Sequence, residues 1–363
     1  MFGSNPYHVI IQGVLLGVIV AVLAIVTPIL FRSASIAYAD EDPSFKQPPP
    51  GELVVLTPVR DPDRESTTPT AWYWWKHRTE AQLNTIRSQD QRLIDLELAP
   101  TNDGRFDAVL VPNSGVYERS DGWWFGHNRD AVVAKVNEKN GRILDLEPYT
   151  VNGQRVFAYS LIRNEGVANK WWWWNYDLTP DQVKADINKH GIRLVDLDAY
   201  VVNGQTRYAY VGIKNQGVDH QYWWWYVDKT PQYVADRINE HGARLVDIER
   251  LSNGNLSVVM VQNDGTAWWW GQGASEEWMI ETTATTASRF IDLESYMVNG
   301  QRYFDFITID NANAETRRLR SLIYQAFDLP NFGDQEIRGF LVKQVGGPVL
   351  ADQARPARCA FNP

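Results

Sequence analysis

Cysteine, histidine and methionine are all scarce in this chain of 363 residues. Its one cysteine, Cys359, excludes an internal disulfide framework and any zinc site built from several cysteines of one chain. The six histidines follow no metal-binding spacing, so we expect neither a metal nor a cofactor. A Gly-x-Ser-x-Gly elbow and a phosphate-binding Gly-Lys-Ser/Thr loop are also missing, which removes two common signatures of enzymes.

Positive charge is in deficit, because 35 Lys and Arg stand against 44 Asp and Glu and give a formal net charge of −9. Affinity for nucleic acid comes mainly from clustered basic side chains, so we expect no nucleic-acid partner. Hydrophobic residues make up 44%, which is enough to bury a core. Tryptophan, in contrast, is abundant, with sixteen residues. The composition predicts a folded protein of specialised architecture.

One long uncharged run lies near the N-terminus, VIIQGVLLGVIVAVLAIVTPILF from Val9 to Phe31. As a helix rising about 1.5 Å per residue, it is long enough to cross a hydrocarbon core of about 30 Å. We therefore predict a short tail over 1–8 and a transmembrane helix over 9–32. A leader cleaved after Ala39 is the alternative, since Ala37-Tyr38-Ala39 has the small-x-small pattern of a cleavage site. The length of the run favours a retained anchor.

The segment 33–69 is rich in proline and contains Pro48-Pro49-Pro50 and a charged run from Arg60 to Glu65. This composition predicts a semi-extended linker between the anchor and the folded part. The only strong cation flanking the apolar run is Arg32, so charge alone does not decide the orientation in the membrane.

One pattern returns five times with a spacing near fifty residues. It consists of Arg, two apolar residues, Asp, an apolar residue and an acidic residue. The five copies begin at Arg92, Arg142, Arg193, Arg244 and Arg289. Their aspartates are Asp95, Asp145, Asp196, Asp247 and Asp292, separated by 50, 51, 51 and 45 residues. The pattern predicts five tandem repeats, over 70–120, 121–170, 171–221, 222–267 and 268–311.

Each repeat carries the local signals of one helix and three short strands. Thr179-Pro180 is typical of a helix start, and His190-Gly191 of a helix end. The Arg-x-x-Asp strand follows, and Asn152-Gly153 and its counterparts predict a hairpin into the next strand. The tryptophan run is the third strand. We predict an α+β fold, in which five such repeats stack into a half-barrel or solenoid-like array because one repeat is too small to fold alone.

These features resemble the tandem-repeat modules of bacterial polyglycine-hydrolase-like proteins, in which the repeats form half-barrels. The resemblance covers residues 70–311 and rests on the aromatic run, the Arg-x-x-Asp strand and the Asn-Gly hairpin. In that family the repeats accompany a secreted, beta-lactamase-like serine hydrolase domain with a Ser-x-x-Lys nucleophile motif. Residues 339–351 look like the opening of such a domain, but no Ser here has Lys three residues later. The resemblance implies a repeat module without its catalytic domain, so we expect no enzymatic activity.

The tryptophan runs have two interpretations. Successive strand residues point to opposite faces, so each run places aromatic rings on both faces of its strand. Either both faces are buried in the core, or one face forms an exposed ladder of rings that binds sugars or a polypeptide. Alignment of the runs matches Gly122-Trp123-Trp124 with Trp72-Tyr73-Trp74. The candidate binding residues are Trp72, Trp74, Trp124, Trp172, Trp174, Trp223, Trp225, Trp268 and Trp270.

The five Arg-x-x-Asp copies are interpreted as structural. Catalysis needs one site and not five, so we expect the aspartates to be acceptors that bridge neighbouring repeats. Residues three apart face opposite sides of a regular strand. The Arg and Asp of one copy are therefore expected to find their partners in different strands or repeats.

Residues 312–363 are predicted to form a capping helix, a strand and a tail, with an amphipathic helix from Glu315 to Phe327. The function predicted is that of a non-catalytic, membrane-tethered scaffold or binding module on the extracytoplasmic side, a side that only the resemblance implies. Its partner would be another protein, or a glycan or cell-wall polymer. One alternative is an accessory single-span subunit of a larger membrane complex. A second alternative is a serine hydrolase that is degenerate or completed by a partner chain.

Overall fold

The computed structural model describes residues 64–87, 90–101, 103–119 and 121–313. All of them belong to one of the two compact units of the chain, Leu56–Pro363. The predicted anchor over 9–32, most of the predicted linker and nearly all of the predicted C-terminal cap lie outside the described residues. Within the described part of the chain, no helix is long and apolar enough to cross a membrane.

Every repeat contributes an outer strand, a helix, an inner strand and a middle strand, in that order along the chain. The outer strands are β1 (Tyr73–Arg78), β4 (Asp121–His127), β7 (Trp172–Leu178), β10 (Trp223–Lys229) and β13 (Trp268–Ala274). The helices are α1 (Glu80–Arg87), α2 (Arg129–Lys139), α3 (Pro180–His190), α4 (Pro231–His241) and α5 (Glu276–Thr286). The inner strands are β2 (Gln91–Leu98), β5 (Gly141–Val151), β8 (Ile192–Val202), β11 (Ala243–Arg250) and β14 (Ser288–Val298). The middle strands are β3 (Phe106–Pro112), β6 (Gln154–Arg163), β9 (Gln205–Lys214), β12 (Leu256–Gln262) and β15 (Gln301–Asp310).

The helices begin and end at the residues that the sequence signals indicate. At α3, the Thr179 side chain accepts a hydrogen bond from the Gln182 backbone, and the Gln182 side chain returns one to the Thr179 backbone. Pro180 occupies the first helical position, where its missing N–H costs nothing. The helix ends at Gly191 in the left-handed conformation, with φ of 57°.

The three strands of each repeat form an antiparallel sheet with the middle strand in the centre. Each inner strand carries a bulge, which in β2 lies between Leu93 and Asp95. Because of the extra residue, Arg92 pairs with Val111 and Asp95 with Val109, two positions that share a face. Arg and Asp of one copy therefore point the same way. The expectation of opposite faces, which holds for a regular strand, is wrong here.

The five sheets close into a ring. Each inner strand contacts the inner strand of the next repeat, and β14 of the last repeat contacts β2 of the first. The Asn311 side chain seals this junction, because it accepts from the Thr70 N–H at 3.0 Å and donates to the Thr70 carbonyl at 2.8 Å. The repeat array is predicted correctly, and in place of the half-barrel or solenoid-like array expected it forms a closed ring that resembles a five-bladed propeller. Closure depends on the angle between neighbouring repeats, which the repeat pattern does not encode.

Five hydrophobic clusters fill the spaces between neighbouring repeats. Each cluster joins the helix and sheet of one repeat to strands of the next. The cluster that closes the ring packs Trp72 and Trp74 of the first repeat against Phe290 and Phe304 of the last. Ring centroids lie 5.2 Å apart in both the Trp72–Phe290 and the Trp74–Phe304 pairs, in edge-to-face geometry. No repeat completes its core alone, so the repeats stabilise one another.

The short spacing between Asp247 and Asp292 has a local cause. Strands β11 and β12 have 8 and 7 residues, whereas β8 and β9 have 11 and 10. In the first three repeats, a 3-10 helix follows the middle strand, at Gly115–Tyr117, Gly166–Ala168 and Gly217–Asp219. The fourth repeat goes directly from Asn263 to Trp268 without one. Both shortenings lie at the ends of strands and leave the contacts around the ring intact.

Replacing Trp74 by Ala is expected to lower the free energy of unfolding by about 3–5 kcal/mol, because it leaves a cavity in the cluster that closes the ring. Trp74 is 3% exposed. Urea unfolding followed by circular dichroism measures the change. Trp171→Ala is the matched control, since Trp171 is 75% exposed and is expected to change stability by less than about 0.5 kcal/mol. Equal stability of the two variants would contradict the assignment of Trp74 to the core.

Candidate functional site

The ring has two faces. The turn face carries the 3-10 helices and the turns that lead from each middle strand to the next outer strand. The hairpin face carries the tight turns between inner and middle strands, such as Asn152-Gly153, with φ of 50° and 76°. The inner strands run from the turn face to the hairpin face. The Arg, the Asp and the final acid of each copy therefore lie at successive levels along the axis of the ring.

The five aspartates of the repeated pattern form a ring around this axis, the aspartate ring. One carboxylate oxygen of each accepts a hydrogen bond from a backbone N–H of the preceding repeat, at 2.7–3.2 Å. The donor–acceptor pairs are Leu96–Asp145, Leu146–Asp196, Leu197–Asp247, Ile248–Asp292 and Leu293–Asp95. The last pair closes the cycle. Each aspartate therefore bridges two repeats, which is the role that the sequence analysis assigns to it.

Arg64 places its guanidinium inside the aspartate ring. It forms ion pairs with four of the five aspartates, Asp95, Asp196, Asp247 and Asp292. Its Nε donates to the Ile291 carbonyl at 2.8 Å and one terminal nitrogen donates to the Val195 carbonyl at 3.1 Å. The side chain is only 10% exposed. Arg64 falls in the predicted linker, where a charged run beside prolines gives no sign of contacts with four of the five repeats.

The five arginines of the pattern, the arginine ring, lie buried on the turn-face side of the aspartates. Two of them hold the chain that enters the ring. Arg244 pairs with Glu65, and Arg289 donates to the carbonyls of Arg64 and Ser66, both at 2.9 Å. Tyr117, which ends a 3-10 helix, donates from its hydroxyl to the Thr68 carbonyl at 2.7 Å. Residues 64–68 are thus fastened to the turn face.

A second ring of carboxylates, the acid ring, lies two residues further along the inner strands, about 6–7 Å closer to the hairpin face. Its members are Glu97, Glu147, Asp198, Glu249 and Glu294. Glu97, Asp198 and Glu249 are 8–9% exposed, whereas the other two are half-buried. One carboxylate oxygen from each of Glu97, Glu249 and Glu294 lies within 4.8 Å of the others. Three of the five acidic side chains therefore converge at the hairpin-face end of the axis.

Negative charge exceeds positive charge along the axis. Six guanidinium groups, those of the arginine ring and Arg64, stand against eleven carboxylates, those of the two rings and Glu65. The guanidinium groups lie at or above the aspartates, so the excess falls on the acid ring. Burial and the charge of Glu294 raise the pKa of Glu97 well above its usual value. Burial raises the pKa of Glu294 itself to about 8.

Asp198 differs from its neighbours in the acid ring. Glu249 accepts a hydrogen bond from the Ala199 N–H of the preceding repeat at 3.2 Å, and Glu147 accepts one from the Leu98 N–H. The corresponding donor for Asp198 would be residue 148, which is proline and has no N–H. Among the described residues, Oδ2 of Asp198 is buried and has no hydrogen-bond partner. A single proline thus leaves one carboxylate oxygen of the ring unsatisfied.

Most tryptophans of the predicted binding set pack between repeats. Trp72, Trp74 and Trp268 are 1–4% exposed, so the binding role predicted for them does not fit their position in the core. The other six are half-buried against the clusters between repeats: Trp124, Trp172, Trp174, Trp223, Trp225 and Trp270. Five of these rings cover the face of the outer strand that meets the preceding repeat, whereas Trp124 packs toward the helix of its own repeat.

The second aromatic position of the outer strand faces its own helix. Trp173 stacks on His190 with ring centroids 4.9 Å apart, and Trp224 stacks on His241 at 4.2 Å. Both faces of these strands are therefore covered. The alignment of the second repeat also needs correction, since Trp123 pairs across from the partner of Asp145 and so takes the position of Trp74. The register of Trp123 against the middle strand shows this, whereas the run of aromatic letters does not.

Two aromatic residues that the sequence analysis did not select are exposed on the turn face. Trp171 is 75% exposed and Tyr222 is 62% exposed. They occupy the same position in consecutive repeats, one residue before the outer strand. Val116 and Val218, in the 3-10 helices of the same face, are 51% and 56% exposed. These four residues are here named the turn-face patch. Trp171 was missed because it directly precedes the tryptophan strand and looks like part of its run.

The chain matches no protein-family model and no curated protein. The similarity of its repeats to those of polyglycine-hydrolase-like proteins therefore stays a prediction from motifs.

Replacing Arg64 by Ala is expected to lower the free energy of unfolding by about 3–5 kcal/mol, because it leaves the aspartate ring without its central cation. Thermal and urea unfolding of the full chain in detergent measure the loss. Arg163→Ala is the control, since Arg163 is exposed and lies 3.5 Å from an equally exposed Glu165. Its effect should stay below about 0.5 kcal/mol. A loss below about 1 kcal/mol for Arg64→Ala would contradict the central role of this residue.

The stability of the chain is expected to fall as the pH rises from about 5 to 8 in buffer containing a chelator. Carboxyl groups of the acid ring have raised pKa values, about 8 for Glu294, whereas an unfolded Glu has about 4.3. Between these values the folded state binds more protons than the unfolded state, so stability is lost as they dissociate. Melting temperatures across this range measure the slope. The triple variant Glu97→Gln, Glu249→Gln and Glu294→Gln should flatten it, and a wild-type melting temperature that rises over the range would refute the argument.

Proposed function

We propose that the chain is a non-catalytic binding module that is held at a membrane by residues 9–32 and binds a partner protein through the turn-face patch. The observation that carries this proposal is the exposure of Trp171 and Tyr222, in a protein that buries or half-buries its other described tryptophans. Large exposed aromatic rings at repeated positions are costly in water unless a partner covers them.

A protein partner fits the chemistry of this patch better than a glycan. Trp and Tyr are the residues most enriched at the energetic centres of protein interfaces. Val116 and Val218, exposed in 3-10 helices of the same face, add apolar area without the hydrogen-bonding groups that a sugar requires. The patch draws on the first, third and fourth repeats, and the turn that ends the fourth repeat adds nothing to it, since this turn lacks the 3-10 helix and buries Thr266. Such a one-sided surface suits one partner.

The alternative of an accessory subunit in a membrane complex draws support from the entry point of the chain. Residues 64–68 lie on the turn face, where the arginine ring holds them. The described chain therefore begins on the face that carries the turn-face patch. A partner that is itself embedded in the membrane would meet this arrangement, and extracytoplasmic placement remains part of the proposal.

The non-catalytic part of the proposal is supported by the use of the charged groups. The aspartates and arginines recur in five copies, and the contacts described above tie them to backbone groups and to one another. Groups engaged in this way stabilise the ring. A serine hydrolase that is degenerate or completed by another chain would need a site that these repeated contacts do not supply.

The double variant Trp171→Ala and Tyr222→Ala tests the proposal. In the full chain purified from its own membrane, we expect it to weaken capture of the co-purifying partner by at least about tenfold, as loss of two interface centres implies. Its melting temperature should be unchanged, since both side chains are exposed. Val201→Ala on the hairpin face, where Val201 is 61% exposed, is the matched control and should retain the partner.

Three outcomes would contradict the proposal. Full retention of the partner by the double variant would exclude the turn-face patch as its binding site. Binding of purified chain to cell-wall polymer, with no protein partner, would exclude the partner class. Hydrolysis of peptides or esters by the purified wild-type chain would exclude the non-catalytic role.

A further inference from the structure

We propose that the acid ring binds one Ca²⁺ ion on the axis of the ring. The ligands are carboxylate oxygens of Glu97, Glu147, Asp198, Glu249 and Glu294. The site lies toward the hairpin face, away from the turn-face patch, so it does not depend on the proposed partner.

Three carboxylate oxygens of the acid ring lie close enough together to share one calcium ion. Calcium binds oxygen ligands at about 2.3–2.6 Å, so two ligands on opposite sides of the ion are about 4.8 Å apart. One oxygen from each of Glu97, Glu249 and Glu294 lies within 4.8 Å of the others. The three side chains are therefore close enough to share one ion once the hydrogen bond between Glu97 and Glu294 is broken.

Two buried carboxylate oxygens of the inner strands have no hydrogen-bond partner among the described residues. Asp198 is 9% exposed and its Oδ2 accepts no hydrogen bond among the described residues. Asp145 is 3% exposed, and its Oδ1 also accepts no hydrogen bond among the described residues. It is the aspartate of the ring with which Arg64 forms no ion pair in the described part of the chain. Both residues lie on the face of their inner strands that carries the aspartate ring and the acid ring, and Pro148 withholds the backbone donor that Asp198 would otherwise have. A buried carboxylate oxygen is costly unless a hydrogen bond or a cation satisfies it.

The distribution of charge along the axis favours a cation at the level of the acid ring. Arg64 occupies the aspartate ring from the turn face, and the arginine ring lies beyond it. The five carboxylates in excess belong to the acid ring. Glu147 and Glu294 are half-buried, so an ion can reach the site from the hairpin face.

The type of ligand selects calcium among common divalent ions. Five carboxylates around one axis give an all-oxygen site with six or more donor atoms, which suits the six to eight ligands of Ca²⁺. Magnesium demands a tighter octahedron and keeps several waters. Zinc prefers nitrogen and sulfur in tetrahedral geometry, and the acid ring supplies neither.

Calcium titration of the full chain tests the site. The protein, in detergent and freed of metal by a chelator, is titrated with CaCl₂ at pH 7.5 by calorimetry, and its melting temperature is recorded in parallel. We expect one ion per chain with a dissociation constant below about 1 mM, a higher melting temperature, and weaker binding of MgCl₂. Binding should also release protons, because the carboxyl groups ionise when the ion binds.

Asp198→Asn provides the decisive variant. We expect it to weaken calcium binding by at least about tenfold. In chelator it should melt at the wild-type temperature or above, because it removes an uncompensated buried charge, so a loss of binding would not reflect unfolding. Asp130→Asn is the control, as the Asp130 side chain is 90% exposed on a helix, and it should bind like the wild type.

Several results would overturn the inference. No heat and no rise in melting temperature up to about 1 mM CaCl₂ would mean that the carboxyl groups stay neutral and share protons, as the hydrogen bond between Glu97 and Glu294 allows. Calcium binding that Asp198→Asn leaves unchanged would place the ion elsewhere. Equal affinity for Mg²⁺ and Ca²⁺ would exclude the proposed selectivity.

Discussion

The structure depends on one hydrogen bond repeated five times, from a backbone N–H of one repeat to the aspartate of the next. Because the acceptor is a buried carboxylate, each bond is stronger than a neutral one, and the five form a cycle that ends at Leu293 and Asp95. The bulge in each inner strand turns the aspartate toward its neighbour. The cost of gathering five carboxylates is offset by Arg64, which lies within hydrogen-bonding distance of several of them at once.

Local features of the fold were predictable because their signals are local. Thr179-Pro180, Gly191 and Asn152-Gly153 each set the backbone of a few residues, and the structure has a helix start, a helix end and a hairpin there. The bulge was not predictable, since nothing in the pattern Arg-x-x-Asp distinguishes a bulged strand from a regular one. Closure into a ring depends on small rotations between repeats, which many side chains set together.

The candidate site was predictable only in part. Repetition identified the aspartates and explained why they cannot be one catalytic site. Arg64 belongs to no repeat, so a search for repeats passes over the residue that completes the aspartate ring. The tryptophans were ambiguous because strand alternation places rings on both faces, and only the neighbouring repeat and helix decide which rings are buried. The same limit hid the exposure of Trp171.

The five repeats of the ring are not identical, and their differences lie at particular residues. Pro148 withdraws one backbone donor, Arg64 pairs with four of five aspartates, and the fourth repeat shortens its turn. A closed ring also constrains how such a protein can evolve. An open array has end repeats and gains or loses units there, but a ring has no ends. Adding or deleting one repeat would separate Thr70 from Asn311. Related chains should therefore keep five repeats and vary in their loops, as the fourth repeat already does.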